Sequence, residues 1–237
     1  MTADRWTRAV RHQLGFGRLL PLGDARDGAW IAEQAAEAVL RRAAEDAPGV
    51  RVDALRIVLA DPADTQAPAV PAPPSGLPPG PLRVTAEFAA TASEPLPTTA
   101  SLLRATLATA ATQRIGLAVR EVDLRVTGLL DGEPEAGTAA GFPEPPGAAQ
   151  PEAGDEARVA ATALAVPGVL RLTGALGHPV HIEELPGEAA LSHRHVRVEL
   201  AVGADHRARD VARAVRTAVR TSLPDHPTVA VLVSAIG

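Results

Sequence analysis

The chain predicts an α+β fold: two similar small domains, each a mostly antiparallel sheet with two helices packed on it. Three observations carry that expectation. The order helix, Pro-Gly-Val turn, strand, helix, valine-rich strand is written twice, around Pro48-Gly49-Val50 and around Pro167-Gly168-Val169. One strand in each copy alternates: Leu82, Val84, Ala86 and Phe88 against Arg83, Thr85 and Glu87, then Val196, Val198, Leu200 and Val202 against Arg197 and Glu199. That period of two marks a sheet with one covered and one wet face. After each alternating strand, apolar residues recur at helical spacing, with Leu103, Leu107 and Ala111 in the first copy and Val211, Val215, Val219 and Leu223 in the second.

Residues 1–27 form an amphipathic arm. Trp6, Val10 and Leu14 stand four apart, with Arg5, Arg8, Arg11 and His12 on other faces, before Gly15 and Gly17 stop the pattern. The arm either packs Trp6, Phe16, Leu19 and Leu20 on the first domain or lies on a membrane surface. The first repeat, residues 28–130, opens with a helix over 29–46 that carries the Glu37/Arg41 pair and ends at Pro48-Gly49. Strands are expected over 52–59 and 82–88, a helix over 98–115 and a strand over 122–126. Residues 61–81 interrupt this repeat with a proline-rich insertion, which lacks the backbone donors of a helix or central strand and is read as extended. Residues 131–156 are a Pro/Gly-rich linker with seven acidic residues and no basic one, expected to be solvated. The second repeat, residues 157–237, places helices over 157–166 and 208–223 and strands over 169–172, 180–185, 196–202 and 229–233.

Composition narrows the function classes. With 237 residues and 46% hydrophobic content there is material for two cores, although an aromatic share of 2% means they are built from small side chains. The 23 basic residues are all arginine, and the formal net charge of −5 speaks against a general nucleic-acid binder. Absence of cysteine removes disulfides, thiolate catalysis and cysteine-type zinc sites. No stretch reaches the roughly 20 apolar residues a membrane helix needs. Neither a lysine-containing phosphate loop nor a Gly-x-Ser-x-Gly elbow is present.

The order of elements, with its Pro-Gly-Val turns at 48–50 and 167–169, resembles the bacterial alkaline shock protein, or envelope stress response, family. The resemblance covers 82–88, 98–115 and 122–126 in the first copy and 196–202, 207–223 and 229–233 in the second. It implies a non-enzymatic cytoplasmic protein without cofactors, a scaffold near the membrane that works through membrane-anchored protein partners and self-association. The tandem form, the proline insertion and the short helix at 157–166 depart from the family pattern.

Two constellations invite chemistry. Six of seven histidines fall in the second repeat, and a hairpin joining His178 and His181 to His193 and His195 would gather imidazoles. Three readings follow: a transition-metal site, surface histidines, or a response to pH between 5 and 7. On the last long helix Arg209, Arg213, Arg216 and Arg220 are spaced four, three and four apart and draw one basic stripe. That stripe is a solvated face, a surface for phosphates, anionic lipid or an acidic partner, or the seat of an internal clasp with the 131–156 linker. Leu232 breaks the polar-out pattern of the final strand, which is therefore covered on both faces by the other repeat or by another chain.

Overall fold

The computed structural model describes residues 17–132, 148, 151, 153–186 and 192–237. Trp6 and most of the 131–156 linker lie outside these residues. Among the described residues nine strands and four helices run β1 (Leu19–Pro21), β2 (Ala29–Ala32), α1 (Glu33–Ala44), β3 (Val50–Leu59), β4 (Leu82–Thr91), α2 (Leu96–Thr109), β5 (Val119–Leu130), α3 (Gly154–Leu164), β6 (Val169–Leu172), β7 (Val180–Leu185), β8 (His193–Val202), α4 (Ala208–Ser222) and β9 (Thr228–Ile236). A π-helical turn, Ala110–Ile115, extends α2 and stops at Gly116, whose φ of 94° suits glycine.

Each half contains a helix, an antiparallel pair, a second helix and a final strand parallel to the one before it. In the first half β3 pairs antiparallel with β4, which pairs parallel with β5. In the second, β6 and β7 together take the place of β3 along β8, and β8 pairs parallel with β9. Parallel pairing follows from the helical crossover, since α2 and α4 each carry the chain back to the starting end of the sheet. The two halves treat their first strand differently. β3 absorbs one extra residue in a bulge near Asp53, whereas the second half inserts residues 173–179 between β6 and β7.

The N-terminal strands do not serve the half in which they are written. β2 pairs in parallel with β9, setting Trp30 beside Leu232, and β1 pairs with β2, so the larger sheet runs β1-β2-β9-β8-β6 with β7 also on β8. Residues 29–32, expected as the start of a helix, are therefore a strand. A strand buried on both faces has no reason to alternate, and Ala29, Trp30, Ile31 and Ala32 are all buried. Likewise Leu19 and Leu20, expected to pack on the first repeat, complete the sheet of the second.

The proline-rich insertion, expected to be extended, runs through several turns and is packed. Leu77 N–H donates to Leu19 O and Leu19 N–H to Ser75 O, so the segment lies along the outer edge of β1. Trp30, 1% exposed, donates its indole N–H to Leu77 O at 3.0 Å. Helix α1 contacts both β3 and β9, and one apolar cluster runs continuously through both halves.

Candidate functional site

The four stripe arginines share one face of α4, and that face meets the turn joining β1 to β2. Asp27, only 2% exposed, sits at the centre of the contact. Its carboxylate accepts from Arg209 Nε at 2.9 Å and pairs with Arg209 Nη2 at 2.7 Å and with Arg213 Nε at 2.8 Å. The Asp24 N–H donates to the same carboxylate at 2.8 Å, and Asp24 adds a second carboxylate to Arg209 at 3.2 Å. Gly23 is required here: its φ is 94°, and a Cβ would collide with the Asp27 carboxylate. Among the described residues the acids on the stripe are Asp24 and Asp27; most of the 131–156 linker lies outside those residues.

Beyond Asp27 the stripe becomes a cleft of about 530 Å³ lined by Arg26, Asp27, Arg213, Arg216, Arg220 and His226, together with Thr217 and Thr221. Asp27 is its sole acid among the described residues, and Arg209 and Arg213 already engage it. Arg216 donates to Arg26 O and is half-buried. Burial pulls its guanidinium below the ordinary value, against the attraction of Asp27, while Arg220 and Arg213 add like-charge repulsion. His226 closes the cleft in the left-handed region, φ 48°, with its Nδ1 3.1 Å from Arg220 O. Non-glycine residues held there cluster at functional positions. A second cleft of about 580 Å³ adjoins at His226 and is lined by Glu184, His193, Arg194, Asp225 and Thr228. In it Arg194 is paired with Asp225 and with Asp155, the last acid but one of the linker.

The histidines are placed by the β7/β8 hairpin, which forms as expected, and His193 and His195 do share a face. The register sets Arg197 opposite His181, Glu183 opposite His195 and Leu185 opposite His193, so a guanidinium and a leucine stand where further ligands would have to be. His178 lies exposed in the preceding turn and His181 is 3.9 Å from Glu183. His195 is buried, with Nδ1 2.8 Å from Thr228 Oγ1, and burial lowers its pKa. Among the described residues no three His, Asp or Glu side chains converge as metal ligands. Leu232 is covered on both faces, 1% exposed, by elements of its own chain.

Comparison with known proteins adds little. No family model and no curated protein matches the chain. Solved structures with some likeness are variants of the MamM CTD: two match at 14% identity and a TM-score of 0.27, each covering 40% of this chain and 92% or 94% of theirs. A cadmium form of another variant matches at 16% identity, again with a TM-score of 0.27, 40% of this chain and 94% of that one. At that TM-score the likeness decides neither fold nor function. No helix among the described residues is long and apolar enough to cross a membrane.

Sequence reasoning found the basic stripe but missed Asp27, Arg26 and His226. The acid belongs to a turn 182 residues away from Arg209, and nothing local to Asp27 names its partner. Glycines 23 and 28, which bracket the turn, were the available signal.

Proposed function

We propose that the chain is a non-enzymatic ligand-binding regulatory module whose ligand is an anion seated in the arginine cleft. One observation carries the reading: Arg26, Arg213, Arg216 and Arg220 face a common cleft whose sole carboxylate among the described residues is already shared by Arg209 and Arg213. Cations crowded and partly stripped of water gain most from an incoming oxyanion, and guanidinium forks match its geometry. Of the second-repeat histidines, His226 rather than His178, His181, His193 or His195 belongs to this ligand site. The envelope stress scaffold remains a second reading, favoured by the helix-strand-strand-helix-strand unit that occurs in both halves; it adds protein partners near the cytoplasmic membrane to the same surface.

Inorganic pyrophosphate is the probe. Calorimetric titration in low salt is expected to show saturable binding, and the Arg216→Ala/Arg220→Ala double variant to weaken it at least tenfold, since each charge-assisted contact contributes about 1.5–3 kcal/mol. At 100 times the dissociation constant, binding adds about 2.7 kcal/mol to stability, visible as a rise in melting temperature. Absence of both binding heat and a melting shift at millimolar pyrophosphate would overturn the reading. A zinc-dependent rise lost in His193→Ala/His195→Ala would return the function to the histidine hairpin.

A further inference from the structure

We infer that β5 is an interface, pairing antiparallel with β5 of a second copy of this chain. The two halves differ at one matching place. The outer edge of β9 is taken by β2, while the corresponding edge of β5 carries no strand among the described residues. Edges of this length are ordinarily shortened, charged or covered. β5 runs for 12 residues, and Val126 and Leu129 on it are 40% and 63% exposed.

The backbone indicates which residues face outward. Leu82 N–H donates to Ala118 O, so the even-numbered residues of β4 turn their backbone groups toward β5, and past the one-residue register shift between Leu82 and Arg83 they meet the odd-numbered residues 121, 123 and 125. Val122, Leu124 and Val126 therefore present their N–H and C=O groups to the open edge. Arg104 Nε donates to Val122 O at 3.1 Å, which shows that this carbonyl is free to accept from outside the sheet. A docking strand displaces that guanidinium.

Charge selects both the partner and the register. Centring two antiparallel copies on Leu124 sets Leu124 opposite itself and Val122 opposite Val126, as hydrogen-bonded pairs. On the other face Asp123 then stands opposite Arg125 of the second copy, and Arg125 opposite its Asp123, in the closer non-hydrogen-bonded pairs. Sliding by one residue at the centre places Asp123 opposite Asp123 or Arg125 opposite Arg125. Of these three registers, only the Leu124-centred one avoids like charges while keeping each face together. Within one chain these two residues are spoken for loosely, Asp123 with Arg83 at 3.5 Å and Arg125 with Glu87 at 3.3 Å, both largely exposed.

Sedimentation of the full chain between 1 and 100 µM is expected to show monomer converting to dimer. Asp123→Arg and Arg125→Asp singly should each raise the dissociation constant about tenfold, because each changes two symmetric pairs from opposite to like charge. The double swap should restore it. Hydrogen exchange needs no variant: the Val122, Leu124 and Val126 amides should exchange at least tenfold more slowly at the top of that concentration range. A chain that stays monomeric at 100 µM, single reversals that dimerise like the parent, a double swap no tighter than the singles, or exchange independent of concentration would each overturn the inference.

Discussion

Replacing Asp27 with asparagine is expected to lower the melting temperature by roughly 6–12 °C. Asp27 is 2% exposed and receives two guanidiniums and the Asp24 N–H. Asparagine keeps an acceptor for that N–H but presents an amide NH2 to cations that have nothing to accept with. Breaking a buried charge pair from one side costs about 3–5 kcal/mol. Arg213 is 58% exposed and readily rehydrated, so the lower figure applies. About 3 kcal/mol in a chain of this size shifts melting by about 2–4 °C per kcal/mol. The loss is structural because the contact ties the β1–β2 turn, and with it the strand on the outer edge of β9, to α4. Scanning calorimetry of Asp27→Asn, Arg209→Ala and their combination measures it. The double variant should fall little below the worse single one, since both remove one interaction. Full additivity, or a single-variant change under 2 °C, would show that the turn is held by its backbone alone.

How far the sequence reached is clearest at the elements that behaved as written. The strands at 169–172 and 180–185 occupy the expected residues, and the alternation of β4 correctly gives one covered face and one face carrying Arg83, Thr85 and Glu87. Local periodicity suffices there, because one side of the strand decides the pattern. It fails where a third element arrives. β2 reads as helix because both its faces are buried and its partner, β9, lies far downstream, with Trp30 set against Leu232. The break in pattern at Leu232 was legible as two-sided burial, yet which segment supplied the second side was not. The site divides in the same way: helical spacing aligns the four arginines, but the acid that holds them comes from a distant turn. In β8, Arg197 and Glu199 were read as the wet face, and there the structure differs most. The 173–179 loop, whose counterpart in β3 is a one-residue bulge, folds over Glu199 and buries it completely.

That buried carboxylate should make stability depend on pH through neutrality. Glu199 accepts from Leu176 N–H at 3.0 Å, and Arg197 Nε stands 3.7 Å away; His195 and, by register, Arg171 share its face. Removal from water outweighs these contacts and pushes its pKa from 4.5 to about 7. An acid whose folded pKa exceeds its unfolded value holds its proton more tightly in the fold. The stabilisation is therefore complete below about 4.5 and disappears as pH rises through about 7. Between pH 5 and pH 8 this amounts to roughly 2–3 kcal/mol. Glu199→Gln keeps the shape and an acceptor for Leu176 while removing the titration. Its melting temperature relative to the parent should climb by roughly 4–12 °C between pH 5 and pH 8, and every other titrating group cancels in that difference. A difference between variant and parent that stays flat across that range would mean that Glu199 keeps one protonation state throughout, with Arg197 close enough to hold it ionised.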